Sequence, residues 1–270
     1  MYDTISLEKD DRVGIITLNQ PKTLNAISLT MTEEFTAALG ELEADPDIRV
    51  IMIRGSGGKA FSSGYDIAEE TDGDPYTSAT WSERLNHDLE FTLSVWHCSK
   101  PTIAAIEGYC LAGGMEFAGM CDLRYCSEDA RFGVVDTRFS TGVATLILPW
   151  IVGPACRELI YTGDMFDADR AERIGFVTRV YSKETFYDEV LKTAKRMSMV
   201  AAECLTWNKK ALNQTLEIMG LMNALKAGVD AATLLNSMET PEFRQFDARK
   251  REQGMKAALK WRAEQFRQYE

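Results

Sequence analysis

The sequence predicts an α/β fold in which a mixed core is followed by a helical C-terminal region. In residues 1–140, short apolar stretches with strand character alternate with segments of helical spacing, and a strand–strand–helix unit recurs loosely. From about residue 143 onward, helical segments continue to the end and are interrupted by one short strand, FVTRVY. A chain that first alternates strands with helices and then becomes helical is typical of an α/β core with additional helices.

The N-terminal 45 residues predict two strands and a helix. The stretch YDTISLEKDDRVGIITLN alternates as two strands do, with a turn at residues 9–11. SLTMTEEFTAALGELEAD follows with helical spacing, and Ser28 or Thr30 can cap the helix. The apolar residues that share one face of this helix are Met31, Phe35, Leu39 and Leu42.

The next hundred residues supply the remaining core elements. A short apolar strand, IRVIMIRG, leads into the Gly/Ser-rich loop SGGKAFSSGYDI. Residues 79–97 have helical spacing, and the residues near one face are Trp81, Leu85, Leu89 or Asp88, Thr92 and Trp96. KPTIAAIEG is a further strand, LAGGMEFAGM is a turn that enters a helix, and DLRYCSEDARFGVVD contains two short strands.

Composition excludes several classes of protein. The 30 basic and 41 acidic residues give a net charge of -11, which argues against broad nucleic-acid binding because that requires a basic face. Six cysteines without a CxxC pair indicate reduced core residues in a reducing compartment, and we expect a cytoplasmic protein. With two histidines, a zinc site is poorly supported. We expect no signal peptide, because Met1 leads straight into a strand pattern, and no membrane-spanning helix, because no apolar run approaches ~20 residues.

A single carboxylate interrupts the most apolar stretch of the chain. In GYCLAGGMEFAGMCD, residues 108–122, Glu116 lies among glycines and small or apolar residues, and Asp122 closes the segment. A buried carboxylate is costly or has a raised pKa, so its presence requires a reason. Glu116 could serve as a general acid/base, or it could be a first-turn helix residue that interacts with the helix dipole. Asp122 is interpreted as a structural residue that hydrogen-bonds nearby backbone.

Two glycine-containing loops could supply hydrogen-bond donors to a negatively charged oxygen. Gly113 and Gly114 precede a predicted helix, where backbone N–H groups can approach a ligand and the helix dipole is positive. The loop FSSGYDI offers the N–H of Tyr65 just after Gly64. If the two loops converge, they form an oxyanion hole. Tight packing is the alternative explanation of a Gly–Gly turn, and neither loop matches the phosphate-binding patterns of nucleotide-binding proteins.

Four segments together give the chain a family resemblance. They are ITLNQPKTLNAIS (16–28), GGKAFSSGYDI (57–67), KPTIAAIEGYCLAGGMEFAGMCDLRYCSEDARFG (100–133) and ELIYTGDMFDADRAERIGFVTRVY (158–181). In this order and spacing, they resemble the crotonase superfamily, the enoyl-CoA hydratase/isomerase family. The resemblance implies a crotonase-like spiral of ββα repeats, predicted over residues 1–200 with the CoA site and the active site. Residues 201–270 are the implied helical region that builds homotrimers, often paired into homohexamers.

The resemblance also implies roles for individual residues. The N–H groups of Tyr65 and Gly113 match the oxyanion hole that polarises the thioester carbonyl of an acyl-CoA substrate. Glu116 matches one catalytic glutamate of the hydratases, and Asp136 stands where the second is usual. Coenzyme A enters as the acyl carrier of the substrate, and no tightly bound cofactor is expected. The positions that match the CoA-binding segments are Lys22, Leu24, Ala60, Ser62, Gly64, Asp66 and Ile67.

The implied activity is hydration of a 2-enoyl-CoA. The alternatives are an isomerase or a C–C bond hydrolase or lyase of the same superfamily, and a non-catalytic CoA-binding homologue. Three departures from the family pattern bear on this choice: Val135 replaces a usual proline, Asp136 is one methylene shorter than glutamate, and Tyr65 is bulkier than the common alanine. From the residues alone, Asp136 could equally be a turn or cap residue. We expect Tyr65 and the 79–97 helix to restrict the acyl site.

Overall fold

The structure is a computed structural model that describes residues 2–66, 69 and 77–269. Ile67, one of the predicted CoA-binding residues, lies outside this part of the chain. The strands of the described residues are β1 Ile5–Asp10, β2 Val13–Leu18, β3 Val50–Gly55, β4 Ala60–Ser62, β5 Thr102–Ile106, β6 Tyr109–Leu111, β7 Leu123–Ser127, β8 Arg131–Gly133, β9 Phe166–Asp167 and β10 Arg179–Tyr181.

The helices of the described residues occupy the connections between these strands and the whole C-terminal third. They are α1 Leu29–Ala44, α2 Ser78–His97, α3 Gly113–Met120, α4 Leu148–Ile151, α5 Ala155–Thr162, α6 Ala168–Arg173, α7 Phe186–Met197, α8 Ala202–Ile218, α9 Leu221–Ser237, α10 Pro241–Gln253 and α11 Met255–Phe266. Short 3-10 turns cover Pro21–Thr23, Val135–Phe139 and Arg267–Tyr269. Of the two candidate caps of α1, Ser28 is the one used, because its hydroxyl accepts a hydrogen bond from the N–H of Met31.

The strands form two sheets that advance together along the chain. The first has the order β1-β2-β3-β5-β7-β10, and all its pairs are parallel except β1 with β2. The second has the order β4-β6-β8-β9. Along the chain, β4, β6 and β8 follow β3, β5 and β7 of the first sheet, so the chain passes from the first sheet to the second in each repeat. With α2 and α3 closing successive turns, this arrangement is a spiral of ββα units, which confirms the predicted fold class. The division of the chain at residue 200 stays a prediction.

The core lies between the first sheet and helices α1, α2 and α3. Every residue of α3 is buried, because glycines, Ala118 and apolar side chains allow neighbouring elements to approach closely. The rings of Phe35, Phe91 and Phe117 form an aromatic cluster with centroid separations of 4.8 to 5.4 Å. Aromatic pairs at this spacing stabilise a core beyond simple area burial. The cluster therefore fixes α3, the segment that carries Glu116, against α1 and α2.

Residues 143–147 depart from the helical prediction for this part of the chain. The segment is irregular, and a helix begins at Leu148 with Pro149 in its first turn, where proline is well tolerated. The N–H of Thr145 donates to Oε2 of Glu116 at 3.1 Å, so this part of the backbone serves a side chain instead of a helix. Sequence periodicity does not reveal that a backbone N–H bonds to a distant side chain instead of to a helical carbonyl.

The predicted structural role of Asp122 is confirmed. Its carboxylate accepts hydrogen bonds from the N–H and the hydroxyl of Thr102, at 2.7 and 2.9 Å, and from the Lys209 ammonium at 2.8 Å. Lys209 is 6% exposed and comes from α8, so this partly buried ion pair attaches the C-terminal helices to the edge of the core.

Within the part of the chain described, no single helix combines the length and apolar character needed to cross a membrane. Helices α8 and α9 have the required length and apolar character only when they are taken together, and their axes are bent by 59° relative to each other. The six cysteines are all free thiols, and Cys204 is the exposed one.

Candidate active site

The two predicted glycine loops meet in the structure. A Cβ atom on Gly64 would lie 2.8 Å from the Cβ of Ala112 and 3.1 Å from the backbone nitrogen of Gly113. Gly64 also has a φ of +100°, a conformation that residues with side chains rarely adopt. Glycine is therefore required here for both conformation and space, and it places the first loop against the start of α3.

Tyr65 is positioned by its backbone and by both ends of its side chain. A parallel bridge pairs it with Ile27, through the Gly64 carbonyl and the Asp66 N–H, which directs the Tyr65 N–H to the opposite side of the strand. Its ring lies on Gly113: a Cβ there would be 2.4 Å from Cδ2 of the ring. Its hydroxyl bonds to the Asp88 carbonyl at 2.8 Å and to Oγ1 of Thr92 at 2.9 Å. The ring thus joins the loop to α2.

Gly113 is the first residue of α3, so its N–H belongs to the positive end of that helix. The preceding residue, Ala112, has φ 51° and ψ −131°, which is a strained conformation for a residue with a side chain. Ala112 is held there because its N–H donates to the Gly133 carbonyl at 2.9 Å and its own carbonyl accepts from the N–H of Met115 and of Glu116. This strained turn sets the direction of the Gly113 N–H.

Asn25 is a site residue that sequence reasoning missed. It is fully buried and has a φ of +54°, and its side-chain amide donates to the carbonyls of Ser56 and Ala60 at 3.1 and 2.8 Å. Its Oδ1 accepts from the N–H of Gln20 at 3.0 Å. Asn25 therefore ties the 20–25 loop to the 56–60 loop. The available signal was a polar residue inside the motif TLNAIS.

We expect the Asn25→Ala variant to lose about 2–3 kcal/mol of unfolding free energy, because it leaves buried backbone groups without partners. Denaturant unfolding of the two proteins measures this loss. Asn86→Ala is the matched control, since Asn86 is exposed on α2 and its amide donates locally to the Ser82 carbonyl. Equal stability of Asn25→Ala and Asn86→Ala would contradict the structural role of Asn25.

The predicted CoA-binding residues lie along these two joined loops. Lys22 is exposed and Leu24 half-buried in the first loop, and the Leu24 carbonyl accepts a hydrogen bond from the N–H of Ser63 at 3.0 Å. Ala60 and Ser62 are buried in β4, and the Ser62 hydroxyl accepts from the Gly64 N–H at 3.2 Å. Gly64 is also buried and Asp66 is half-buried, and all six residues lie on the two loops that Asn25 ties together. Because the side chains of Ala60 and Ser62 are buried, the contacts that these positions offer to a ligand are those of their backbone groups.

Glu116 lies at the end of the first turn of α3 and is 5% exposed. Burial raises its pKa to about 8, and the negative charge of Asp136 contributes to the rise. The hydrogen bond from the Thr145 N–H opposes this shift but does not cancel it. At neutral pH the Glu116 carboxyl therefore holds a proton that it can also release.

Asp136 lies on the 3-10 turn Val135–Phe139. Its backbone carbonyl accepts hydrogen bonds from the N–H of Thr141 at 3.1 Å and the Thr141 hydroxyl at 2.9 Å, which fixes the turn. Its Oδ2 atom is buried without a hydrogen-bond partner among the described residues. Burial raises the pKa of Asp136 to about 6. A hydrogen bond from its own backbone N–H opposes this rise in pKa, as a turn residue would show. The buried second oxygen has no use in such a turn, which favours a role toward a ligand.

One cavity of about 110 Å³ joins these groups. Tyr65, Gly113, Glu116 and Asp136 all line it, so the structure brings together the four residues predicted to carry the chemistry. Its other walls come from α2, from the segment after Asp136 and from α9 and α10, and include Trp81, Leu85, Asp88, Phe139, Ala144, Asn236, Phe246 and Lys250. Asp88 and the residues of α9 and α10 were not predicted as site residues.

The arrangement is suited to acid–base chemistry beside a polarised carbonyl. Two carboxyl groups whose pKa values are both raised and lie apart can hold a single proton near neutral pH. Gly113, at the start of α3, and Tyr65, in the adjoining loop, line the same cavity. In the described residues, no cluster of three or more His, Cys, Asp or Glu side chains is arranged to hold a metal ion.

Comparison with known proteins agrees with this geometry. Residues 8–267 match the family model described as enoyl-CoA hydratase/isomerase. A probable enoyl-CoA hydratase of Mycobacterium bovis is 38% identical over 221 residues, which are 80% of this chain and 83% of that protein. A peroxisomal Delta(3,5)-Delta(2,4)-dienoyl-CoA isomerase of Arabidopsis thaliana is 32% identical over 253 residues, 87% of this chain and 89% of its own.

Solved structures show the same fold. The crystal structure of an enoyl-CoA hydratase/isomerase from Xanthobacter autotrophicus Py2 superimposes with a TM-score of 0.95 at 36% identity, covering 98% of this chain and 99% of that one. An enoyl-CoA hydratase from Mycobacterium smegmatis gives 0.90 at 26% identity, covering 98% and 94%.

Proposed function

Because the chain belongs to the enoyl-CoA hydratase/isomerase family, we propose that it adds water across the double bond of a 2-enoyl-CoA thioester. The observation that carries the proposal is that Glu116 and Asp136 line one cavity with Gly113 and Tyr65. The hydratases among its relatives support the same activity. A non-catalytic CoA-binding role is not favoured, because such a protein has no use for two costly buried carboxyl groups.

In this mechanism, the thioester oxygen accepts hydrogen bonds from the N–H groups of Gly113 and Tyr65. Water adds to the β-carbon while one carboxylate takes its proton, and the charge that develops on the thioester oxygen as an enolate is held by the two N–H groups. The other carboxyl group delivers a proton to the α-carbon. Glu116 and Asp136 together hold the one proton that this exchange requires.

Hydration of crotonyl-CoA in ¹⁸O-labelled water tests the proposal. We expect loss of the enoyl-thioester absorbance and one labelled hydroxyl oxygen in the product. Turnover of no 2-enoyl-CoA in a panel of different acyl lengths would refute it.

A second candidate is isomerisation of an enoyl-CoA through the same enolate. It is favoured by Asp136, which is one methylene shorter than the usual glutamate and so leaves its carboxyl further from a shared water. The similarity to a dienoyl-CoA isomerase points the same way. Isomerisation moves a double bond without incorporating solvent oxygen, so the labelled-water experiment separates the two reactions when 3-enoyl-CoA substrates are included.

The pH dependence of hydration follows from the two carboxyl groups. We expect kcat/KM to be highest between about 6 and about 8, where the pair holds one proton. Below this window Asp136 becomes protonated and cannot take a proton, and above it Glu116 is ionised and cannot give one. A profile of kcat/KM across both pKa values, with circular dichroism to confirm folding, measures this. A flat profile would contradict the paired role.

We further propose that coenzyme A is bound along the segment formed by Lys22, Leu24, Ala60, Ser62, Gly64 and Asp66, with Ile67 assigned on the resemblance alone. The reaction then needs no tightly bound cofactor, since the N–H groups hold the developing charge. We expect activity to survive dialysis and a metal chelator. Loss of activity that added metal restores would overturn this part of the proposal.

We propose a homotrimer or homohexamer built through α8 and neighbouring segments. Among the described residues, apolar side chains stand exposed on or beside α8, and a groove of about 610 Å³ runs between it and α4. Isolated monomers rarely expose contiguous apolar surface of this kind. The exposed residues are Met199, Trp207, Leu212, Ile218 and Met219.

Sedimentation velocity tests the assembly. We expect the wild type to sediment as a trimer or larger at micromolar concentration, and Leu212→Lys to shift it toward smaller species. Gln214→Lys adds the same charge to an exposed polar position of α8 and should leave assembly unchanged. A wild-type monomer would contradict the proposal.

Localisation in the cytoplasm stays a prediction, which cell fractionation tests.

A further inference from the structure

Helix α2 places a carboxyl group where the wall of the cavity is otherwise apolar. Trp81, Leu85 and Asp88 follow one another on the buried face of α2, and all three line the cavity. Trp81 and Leu85 pack with Ala144, Val229 and Ala232 in an apolar cluster. Asp88 is 5% exposed. An apolar residue at this position would continue the cluster without the cost of desolvating a carboxyl group.

The structure gives Asp88 little compensation for its burial. The nearest described cation is His87, whose Nδ1 lies 3.7 Å from Oδ1, beyond the usual hydrogen-bond distance. His87 and the charge of Arg84 oppose the effect of burial on the Asp88 pKa but do not cancel it. The bond from the Tyr65 hydroxyl goes to the Asp88 backbone carbonyl and not to its side chain. Burial raises the pKa of Asp88, and a carboxyl group accepts a hydrogen bond in either protonation state. Asp88 is therefore an acceptor at the cavity wall.

The place of Asp88 in the cavity relates it to the acyl group of the substrate. The Tyr65 side chain runs from the backbone N–H that faces the thioester to a hydroxyl that touches the Asp88 carbonyl. An acyl chain that begins at the oxyanion hole therefore reaches the turn of α2 that carries Asp88 after about the length of a tyrosine side chain. The 110 Å³ cavity is smaller than the ~150 Å³ cavity that holds benzene, which favours a short chain.

We propose that Asp88 is a specificity-determining residue that accepts a hydrogen bond from a hydroxyl group on a short acyl chain, so that the enzyme prefers hydroxyacyl-CoA thioesters to unsubstituted ones. This inference rests on the proposed binding of acyl-CoA in this cavity. A neutral hydroxyl satisfies the buried acceptor at a lower desolvation cost than an ammonium group. A carboxylate is disfavoured at this position, because it would place a second acid directly beside the buried Asp88 carboxyl group.

Binding of saturated acyl-CoA pairs tests the proposal without requiring turnover. Isothermal titration calorimetry compares 4-hydroxybutyryl-, 5-hydroxypentanoyl- and 6-hydroxyhexanoyl-CoA with the unsubstituted thioester of each length. We expect the hydroxylated member to bind about 10- to 100-fold more tightly for at least one length, the range for a hydrogen bond to a charged group. No preference at any length would overturn the proposal, even if the protein hydrates enoyl-CoA.

Variants assign the preference to Asp88. Asp88→Leu has a similar volume and no acceptor, and it should abolish the hydroxyl preference or reverse it while unsubstituted thioesters bind at least as well as to the wild type. Asp88→Asn keeps an acceptor oxygen and should retain part of the preference. Glu83→Gln removes a charge from an exposed position of α2 and should change the affinity neither for the hydroxylated nor for the unsubstituted thioesters. A preference that survives in Asp88→Leu would assign the hydroxyl to another group and overturn the proposal.

Binding and hydration can fail separately. If crotonyl-CoA is hydrated but the hydroxyl pairs bind equally, the role of Asp88 is wrong and the proposed function stands. If the hydroxyl preference is found and disappears in Asp88→Leu, but no enoyl-CoA is hydrated, the acyl site is correctly assigned and the hydratase activity is wrong.

Discussion

Glu116→Gln is expected to lower the single-turnover rate of enoyl-CoA hydration by about 10²- to 10⁴-fold, the usual contribution of a general acid or base. Asp136→Asn is expected to cause a loss in the same range, since the two carboxyl groups share one proton and each performs one transfer. Both amides are close in size to the acids they replace. The affinity for a saturated acyl-CoA, which requires no proton transfer, should therefore change much less than the rate.

Stability provides the control for these variants. Because the pKa of Glu116 is raised from 4.5 to about 8, the folded state holds a proton that the unfolded state releases, and stability falls as pH rises through that interval. The amide of the Glu116→Gln variant carries no such penalty, and its oxygen can still accept the hydrogen bond from the Thr145 N–H. At pH values above the raised pKa, we expect Glu116→Gln to unfold at a higher temperature than the wild type.

A hydration rate of Asp136→Asn equal to that of the wild type would show that Asp136 is structural.

Gly113→Ala is expected to lower hydration by about 10²- to 10³-fold, the typical effect of losing one oxyanion donor, although it keeps the backbone N–H. The added Cβ would lie 2.4 and 2.5 Å from Cδ2 and Cε2 of the Tyr65 ring. Either the Tyr65 loop or the start of α3 must therefore move, and these two segments carry the N–H donors. Misplaced donors lose their hydrogen bonds to the developing negative charge.

Tyr65→Ala supplies the matched background, because it removes the ring and keeps the backbone N–H. In that background Gly113→Ala no longer meets the ring, and we expect it to cost much less than in the wild type. Steady-state kinetics of the four proteins in a double-mutant cycle measure this coupling. Strictly additive effects would show that the Tyr65 ring does not set the position of Gly113.

Tyr65→Ala alone should broaden the range of accepted acyl groups, because the Tyr65 ring and α2 form one wall of the cavity.

Much of the fold and of the chemical centre could be predicted from the sequence, for identifiable physical reasons. Strand alternation and helical periodicity are local, so β1, β2, α1 and α2 follow directly from the pattern of apolar residues. Glu116 was recognisable because a lone carboxylate in an apolar stretch is costly wherever that stretch is buried. That reasoning needs no knowledge of which elements are neighbours in space.

The features that escaped prediction depend on contacts between distant segments. Asn25 is one polar residue in a loop until Ser56 and Ala60 are placed beside it. The helical pattern of α2 allows either Leu89 or Asp88 on its apolar face, and only the structure shows that Asp88 is buried there and lines the cavity. The strained turn at Ala112 is likewise invisible, since alanine carries no signal for an unusual backbone conformation.

The two acidic residues are supported by parts of the protein with different resistance to local opening. Glu116 belongs to a helix that is buried along its whole length. The turn of Asp136 is held by α5, through a hydrogen bond from Arg138 to the Thr162 carbonyl, and by the last two helices. The ring centroids of Phe139 and of Phe246 in α10 lie 5.3 Å apart, and Arg262 of α11 donates to the Arg138 carbonyl. Segments with few buried contacts detach before global unfolding. Mild denaturant should therefore abolish catalysis while the spiral persists, with amide hydrogen exchange rising first in residues 135–142 and α11. Activity, and not the fold, would then be the first property that the enzyme loses under stress, and it would return when the last helices dock again.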